Sequence, residues 1–162
     1  MDTSAQIAGM GHDIVDCAEF AEQLAVTGTR FHQLFSAREA TQCRARSRDD
    51  ADYAQHLAAR WAGKEAFLKA WSHALSPHNA MPYTIENFPW ISIEILHDAV
   101  HRPSVHLDDD VNTTLYNSLR SAGKLKQNDE IHWHISLSHD GGIASAVAIM
   151  EIATQHTNIN HH

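Results

Sequence analysis

The stretch RWAGKEAFLKAW, residues 60–71, decides the fold, because it is the centre of the strongest helical pattern in the chain. At about 100° per residue, Glu65 and Lys69 share one face of that helix, and Arg60 and Lys64 share a neighbouring face. An unpaired charge is costly in an apolar setting. The pattern therefore indicates either a solvated charged face or a site where cations and a carboxylate meet a polyphosphate and a metal.

Outside this stretch, helical and strand periodicities predict an α+β fold, with helices packed on a mostly antiparallel sheet. Ser36 and Glu39 form a capping box before one helix. Strict alternation over 130–138, followed by a Gly-Gly turn, predicts a hairpin with the last strand and with His139 at its turn. The predicted helices are 18–25, 37–46, 51–74 and 108–121, the last with an acidic start at 108–110. A short helical turn is predicted at 30–35. The predicted strands are 6–15, 90–96, 104–107, 130–138 and 144–153, and 75–89 is a long connection.

Composition narrows the function classes. The chain has 162 residues and a formal net charge of −8, which argues against nucleic-acid binding. No signal peptide and no membrane-length apolar run are present, so we expect a cytoplasmic protein that does not span a membrane. Residues 1–154 are expected to form one domain, and 155–162 a polar, frayed tail. Cys17 and Cys43 lie outside any CxxC spacing, which predicts two reduced thiols.

Three segments together carry a resemblance to a known family. They are Gly-Met-Gly-His-Asp-Ile-Val at 9–15, the helix with Lys64-Glu65 and Lys69, and Ile-Ser-Leu-Ser-His-Asp at 135–140. In this order and at these separations they resemble the holo-acyl-carrier-protein synthases, the short class of 4′-phosphopantetheinyl transferases. The resemblance runs from the first strand to the last hairpin.

The resemblance implies a reaction and a site. The 4′-phosphopantetheine arm of coenzyme A would move to a serine of an apo acyl carrier protein, for fatty acid biosynthesis, releasing adenosine 3′,5′-bisphosphate. Asp13 and Glu65 would hold Mg²⁺, and Lys69 would meet the diphosphate. Hard oxygen ligands suit Mg²⁺. Moreover, two carboxylates about 4 Å apart would repel by roughly 4 kcal/mol at an effective dielectric of 20, so such a pair needs a cation or a proton between them.

The same resemblance implies further coenzyme A contacts and a homotrimer with active sites between subunits. Asp13 and Glu65 would come from one chain, and the basic turn or His139 from another. The further candidate contacts with coenzyme A are Arg60, Lys64, Lys69, Arg102, Pro103, Ser138 and His139.

Simpler interpretations remain open for these residues. Asp13 could be a turn carboxylate at the end of a strand. Lys69 could form an ordinary ion pair with Glu65 within the helix, and His139 could be a solvent-exposed turn residue. Two other function classes fit parts of the sequence: a metal-dependent phosphohydrolase, or a noncatalytic trimeric interaction module. The phosphohydrolase would need several acidic and histidine side chains to converge, namely His12, Asp13, His132, His134, His139 and Asp140.

Two positions depart from the family pattern. His101 stands where a turn glycine is usual. Glu19 stands where many members carry a cation that docks the acidic carrier protein, which suggests a less acidic partner, such as a carrier domain within a type I fatty acid synthase. An alternative basic docking face would consist of Arg38, Arg44, Arg46 and Arg48.

Overall fold

The computed structural model describes residues 2–156 of the chain, and side chains for residues 4–154. Two antiparallel sheets are packed around one long central helix. The α+β architecture predicted from periodicity is therefore confirmed. The helices are α1 (Cys17–Ala25), α2 (Ala37–Arg46), α3 (Asp50–Leu75) and α4 (Asp109–Ser121), with short 3₁₀ turns at Phe31–Leu34 and Trp90–Ser92. The strands are β1 (Asp2–Asp16), β2 (Ile93–His97), β3 (Pro103–Leu107), β4 (Asp129–Asp140) and β5 (Ile143–His156).

The main sheet has the strand order β1-β5-β4, and a separate hairpin pairs β2 with β3. In β1 the register with β5 shifts between Ile7 and Gly9, which marks a bulge. After the bulge, Gly9, Gly11 and Asp13 lie on the face that packs against α3, and Met10 and Ile14 lie on the other face. The bulge thus fixes which β1 residues meet the helix.

Glycines let β1 and α3 approach closely. A Cβ added at Gly9 or Gly11 would collide with a backbone carbonyl oxygen of α3, that of Ala70 or Ala66 respectively. Ala62, also on α3, belongs to a buried seam of small side chains that continues through alanines of β5. No larger residue fits at these positions, so the helix lies directly on the strand that carries Asp13.

Local signals place the ends of the helices. The Ser36 hydroxyl accepts from the Glu39 amide at 3.1 Å, and the Glu39 carboxylate accepts from the Ser36 amide at 2.9 Å, which completes the predicted capping box. Asp108 caps α4 through the Val111 amide. At the β4–β5 turn, Gly141 and Gly142 adopt positive φ values, a conformation that glycine permits.

The largest core cluster packs aromatic and aliphatic side chains of α3 against α4 and the sheet. Phe67 and Trp71 of α3 are fully buried, together with Leu115 of α4 and Met150 of β5. Ile152 of β5 also belongs to this core, and Ile131 and Trp133 of β4 pack against it. The other face of the sheet, away from α3, carries exposed apolar side chains. Ile7, Met10 and Ile14 of β1 are 69%, 54% and 62% exposed there.

The structure corrects three local predictions. Trp90–Ser92 is a 3₁₀ turn, and the strand predicted from 90 begins only at Ile93, because Pro89 sets up a turn first. His139 pairs with Ala144 inside β4, so the turn itself is at Gly141-Gly142. The backbone of β5 continues to His156, so the predicted tail from 155 is not confirmed at its start, and 157–162 lie outside the described residues.

Both cysteines are buried and free, as predicted. Within residues 2–156, no helix is long and apolar enough to cross a membrane.

Candidate active site

Asp13 and Lys69 meet where β1 crosses α3. The Lys69 ammonium donates to Asp13 Oδ1 at 2.7 Å and to the carbonyl oxygen of His12 at 3.2 Å. Glu65 lies one helical turn before Lys69, on the same face of α3. The structure therefore brings together the three residues that sequence analysis placed in the catalytic centre.

The two carboxylates of this site share a partly dry environment. Asp13 is 8% exposed, and its second oxygen, Oδ2, is buried with no hydrogen-bond donor. Burial, followed by the adjoining Asp13 carboxylate, raises the pKa of Glu65 to about 7, and the Lys69 charge opposes this rise only in part. The pair is thus short of positive charge, because one ammonium faces two carboxylates.

This deficit fits a hard divalent cation. Carboxylate oxygens are ligands that Mg²⁺ prefers, and Mg²⁺ commonly takes one or two carboxylates and completes its shell with substrate phosphates and water. Within residues 2–156, no group of three or more His, Cys, Asp or Glu side chains is arranged to hold a metal. If a divalent cation were bound here, the described residues would supply two ligands, Asp13 and Glu65, and the remaining positions would fall to a substrate and to water.

Lys64 lies on a different side of α3 and has another role. Its side chain has no exposed surface, and its ammonium pairs with the equally buried Glu39 at 2.9 Å. It also donates to three backbone carbonyl oxygens, those of Leu34, Trp90 and Ile93, at 3.0, 2.7 and 2.6 Å. All donors of the ammonium are used, so Lys64 ties α3 to its neighbours and does not fit the phosphate contact that we expected.

Glu39 completes this buried network. Besides its bond to the Ser36 amide, it accepts from the amide of Ile95 at 2.9 Å through its other oxygen. One carboxylate therefore caps α2, pairs with α3 and holds β2. Burial lowers the pKa of Lys64, and the Glu39 charge opposes this change. The capping box was the only sequence signal of Glu39, and it did not indicate Lys64 as a partner.

Arg60 is also buried, at 1% exposure. Its guanidinium donates to Gln42 Oε1 at 3.3 Å and lies 3.2 Å from His97 Nδ1, while its Nε has no partner. Burial and then the Arg60 charge lower the pKa of His97 to about 4, so this imidazole is neutral at pH 7. The side chain of Arg60 thus contacts α2 and β2, and its partners do not include Asp13 or Lys69.

His139 and Arg102, two of the other predicted coenzyme A contacts, have partners other than Asp13 within one chain. His139 packs edge-to-face on His56, with ring centroids 5.5 Å apart. His56 precedes Glu65 by nine residues on α3, or about 14 Å along the helix axis. Ser138 precedes His139 in β4 and lies on the opposite face of the strand, away from α3.

Arg102 and Pro103 lie at the β2–β3 turn. Arg102 pairs with Asp98 at 2.7 Å and has a side chain that is 79% exposed, and Pro103 pairs with His97 at the start of β3. His101 has a positive φ of 67°, which explains why a glycine suits this position. A single chain thus does not bring Arg102, Pro103, Ser138 or His139 to the carboxylate pair.

The histidines proposed for a phosphohydrolase do not converge. His132 and His134 lie on the face of β4 away from α3, beside Glu130 at 3.7 Å and Glu151 at 3.3 Å respectively. His12 contacts the Ser145 hydroxyl at 3.0 Å on the same outer face. Asp13 points to the opposite face, so the geometry does not support that alternative.

A groove that sequence analysis missed opens beside Lys69. It has a volume of about 530 Å³ and lies between α3 and the connection that follows it. Carbon atoms supply most of the exposed surface of its walls, and Lys69 is one of its lining residues. Its lining residues are Leu68, Lys69, Ser72, His73, Ser76, Met81, Tyr83, Thr84 and Ile85. The proline-containing connection gave no periodic signal from which this wall could be predicted.

Comparison with known proteins adds independent findings. Residues 9–148 match the 4′-phosphopantetheinyl transferase superfamily. The chain is 50% identical over 152 residues to the holo-[acyl-carrier-protein] synthase of Bifidobacterium adolescentis, covering 89% of this chain and 99% of that protein. Its fold resembles the ACPS–CoA complex of Chronobacterium ammoniagenes, with a TM-score of 0.75 and 32% identity, covering 91% of this chain and 96% of that one. It also resembles the Mycobacterium tuberculosis acyl carrier protein synthase, with a TM-score of 0.61 and 31% identity, covering 90% and 97% of the two chains.

Proposed function

The chain belongs to the 4′-phosphopantetheinyl transferase superfamily, and we propose that it is a holo-acyl-carrier-protein synthase. It transfers the 4′-phosphopantetheine group of coenzyme A to a serine of an apo acyl carrier protein. The observation that carries this function is the joint position of Asp13, Glu65 and Lys69 at the β1–α3 crossing, in a chain that is 50% identical to a holo-[acyl-carrier-protein] synthase. Neither the phosphohydrolase nor the noncatalytic module accounts for both facts.

The reaction replaces a phosphoanhydride bond of coenzyme A with a phosphoester bond to the carrier. The serine hydroxyl oxygen of the carrier forms a bond to the phosphorus that bears pantetheine, and its proton passes to solvent. The bond from that phosphorus to the bridging diphosphate oxygen breaks, and adenosine 3′,5′-bisphosphate leaves with the extra negative charge. Catalysis therefore depends on groups that bind the diphosphate and stabilise the developing charge.

Asp13 and Glu65 are the proposed ligands of Mg²⁺. When bound there, Mg²⁺ would neutralise the two carboxylates and polarise the diphosphate oxygens. The support for this assignment is the buried, unpartnered Asp13 Oδ2 and the Glu65 carboxyl whose pKa is raised to about 7. A neighbouring pair of carboxylates in this state binds a cation readily, because the cation removes their mutual repulsion.

Lys69 is the proposed contact with the diphosphate. Its side chain is 54% exposed although its ammonium contacts Asp13, so it has solvent on the side from which a substrate enters. An ammonium on a flexible stem can turn from Asp13 to a phosphate oxygen without movement of the helix. Lys69 would then stabilise the negative charge that develops on the leaving group.

We also propose a homotrimer with active sites between subunits. The support is the exposed apolar group Ile7, Met10 and Ile14 on the open side of the sheet, together with the separation of His139 and Arg102 from the carboxylates within one chain. In this arrangement Arg102, Pro103, Ser138 and His139 bind coenzyme A from a neighbouring subunit. Sedimentation equilibrium should give a trimer mass, and Ile14→Asp should give monomers without transferase activity. A fully active monomeric wild type would contradict the proposal.

The surface charge of this chain indicates a carrier partner that is not strongly acidic. In α1, Glu19 and Glu22 are exposed, and the helix contains no Lys or Arg. In the alternative basic face, Arg38, Arg44 and Arg48 are each paired with a carboxylate. Such a surface does not attract a strongly acidic carrier.

We therefore propose a carrier domain within a type I fatty acid synthase as the partner, and fatty acid biosynthesis as the pathway. Loading rates should be higher for the embedded domain than for an isolated acidic carrier protein. A strong preference for the isolated acidic protein would contradict this choice. The cytoplasmic location stays a prediction.

The function itself is tested by incubating the protein with coenzyme A, Mg²⁺ and a panel of apo carrier domains. Mass spectrometry of the carriers should show the added phosphopantetheine on the acceptor serine. Phosphate release without transfer would indicate a phosphohydrolase, and a chain that does not bind coenzyme A would indicate an interaction module.

A further inference from the structure

His73 of α3 contacts the backbone of β1 next to the active site. Its Nδ1 atom lies 3.1 Å from the amide nitrogen of Met10 and 3.2 Å from the carbonyl oxygen of the same residue. An unprotonated Nδ1 accepts from the amide, and a protonated Nδ1 donates to the carbonyl oxygen. The ring is therefore tied to Met10 whichever of its nitrogens carries the proton.

This contact lies on the outer edge of β1. The strand is at one end of the order β1-β5-β4, and alternate residues of an end strand direct their amide and carbonyl groups away from the sheet. Met10 and His12 belong to this set, since the Met10 amide meets His73 and the His12 carbonyl oxygen accepts from Lys69 at 3.2 Å. Two side chains of α3, one helical turn apart, thus hold the edge of β1.

The residues of α3 that meet this part of β1 follow a regular spacing. Glu65, Lys69 and His73 are four residues apart, so they lie along one face of the helix. Met10 follows the bulge of β1 and precedes Asp13 by three residues. His73 therefore fixes the strand between the bulge, where its register shifts, and the proposed metal ligand.

The contact with His73 gains importance when Lys69 leaves β1. In the proposed mechanism Lys69 turns from Asp13 to a diphosphate oxygen, so it gives up its bonds to Asp13 and to the carbonyl oxygen of His12. The His73 contact uses no group that the mechanism assigns to the diphosphate or to Mg²⁺, so it can persist in that state. It would then keep Asp13 beside Glu65 while the two carboxylates share a cation.

We propose that His73 is a positioning residue for the transfer reaction, which holds Met10 on α3 while Lys69 binds the diphosphate. This inference rests on the proposed function. His73 takes no part in the bond changes at phosphorus and acts through the position of Asp13. Its removal should therefore lower kcat more than it raises the KM for coenzyme A, because the strand is least restrained after Lys69 has turned.

The experiment measures kcat and KM for coenzyme A with one apo carrier, by mass spectrometry of the carrier. His73→Leu removes the ring nitrogen, and His73→Asn restores a polar atom near the Nδ1 position, because both side chains branch at the same carbon. His106→Leu is the matched control, since His106 is also exposed and contacts the Ser104 hydroxyl at 2.9 Å on β3. Circular dichroism and thermal unfolding confirm that each variant is folded.

The expected kinetic result is a loss of rate that asparagine rescues. His73→Leu should lower kcat by about threefold to tenfold, the effect of one net hydrogen bond, with a smaller change in KM. His73→Asn should recover most of the lost kcat, and His106→Leu should match the wild type. The inference is overturned if His73→Leu keeps the wild-type kcat, or if His73→Asn is as slow as His73→Leu. It is also overturned if His73→Leu raises only the KM for coenzyme A, because His73 would then contact the substrate.

A second measurement separates positioning from a general loss of stability, by calorimetry with Mg²⁺ alone. Lys69→Met removes the neighbouring bond to the edge of β1, so in that background His73→Leu should weaken Mg²⁺ binding by about threefold to tenfold. In the wild-type background, where Lys69 still holds β1, the same substitution should have a smaller effect. Equal effects in the two backgrounds would overturn the inference. A wild-type protein that transfers no phosphopantetheine would instead contradict the proposed function.

Discussion

Replacing Gly11 with alanine should disturb both the stability and the active site of this protein. The added Cβ would lie 2.6 Å from the Ala70 amide nitrogen and 2.8 Å from the Lys69 Cβ, and still closer to the carbonyl oxygen of Ala66. Favourable separations between carbon atoms are about 3.5–4.0 Å, so α3 must move away from β1 by roughly 1 Å. This movement would separate Asp13 from Glu65 and Lys69.

Overpacking of this kind costs about 1–3 kcal/mol, and the upper half of that range, about 2–3 kcal/mol, applies because the colliding atoms include backbone. For a chain of this length, 1 kcal/mol corresponds to about 2–4 °C in Tm, so Gly11→Ala should lower Tm by about 4–12 °C. A misplacement of about 1 Å can also cost on the order of 100-fold in rate. Thermal unfolding by circular dichroism measures the first effect, and mass spectrometry of the loaded carrier measures the second.

Gly28→Ala is the matched control. Gly28 has a φ of 77°, but a Cβ there would meet no atom within 4 Å. Alanine should therefore destabilise this turn by roughly 1–2 kcal/mol through backbone strain and leave transfer unchanged. If Gly11→Ala has an unchanged Tm and full transferase activity, the close approach of α3 and β1 does not determine the geometry of the site.

Three further predictions concern the charged groups. Lys64→Met should destabilise the protein by about 3–5 kcal/mol in guanidinium unfolding, because it leaves Glu39 buried without its partner. The double variant with Glu39→Met should recover part of this loss. Equal stabilities of the wild type and the single variant would contradict the buried pair. Lys69→Met should raise Mg²⁺ affinity of the free protein in calorimetry, since it removes a competing cation from Asp13, while slowing transfer; weaker Mg²⁺ binding would contradict this role. The pKa of Glu65 is raised from 4.5 to about 7, so in metal-free protein its contribution to stability is complete below about pH 4.5 and is lost as the pH rises through about 7. Urea unfolding across this pH range should therefore show a smaller loss of stability for Glu65→Gln than for the wild type. Identical pH profiles of stability for the two proteins would refute the assignment.

Sequence analysis was most successful where local signals determine structure. The period of α3, the capping box at Ser36 and Glu39, and the alternation of β4 each depend on neighbouring residues, and each element was predicted within a few residues of its observed ends. Gly9 and Gly11, which belong to the motif at 9–15, are the positions where β1 approaches α3 closely, and Gly9 directly follows the bulge.

Sequence analysis was least successful for contacts between distant segments. A helical wheel places Lys64 and Arg60 on a charged face, but it does not show that Glu39 and Gln42 meet them there. Glu65 and Lys69 have the same i, i+4 spacing as Arg60 and Lys64, but they border the open site. The difference lies in what packs against each face, which periodicity alone does not reveal. The groove wall at Met81 and Ile85 depends on tertiary contacts of Tyr83 and was missed for the same reason.

The most direct test of the proposed site compares wild type with Glu65→Gln in transfer assays over a range of Mg²⁺ concentrations. The substitution removes the charge of a metal ligand and changes little volume, so circular dichroism should show an intact fold. We predict that wild-type transfer requires Mg²⁺ and that Glu65→Gln abolishes transfer at every Mg²⁺ concentration. Full turnover by Glu65→Gln at limiting Mg²⁺ would contradict the assignment of Asp13 and Glu65 as the metal ligands.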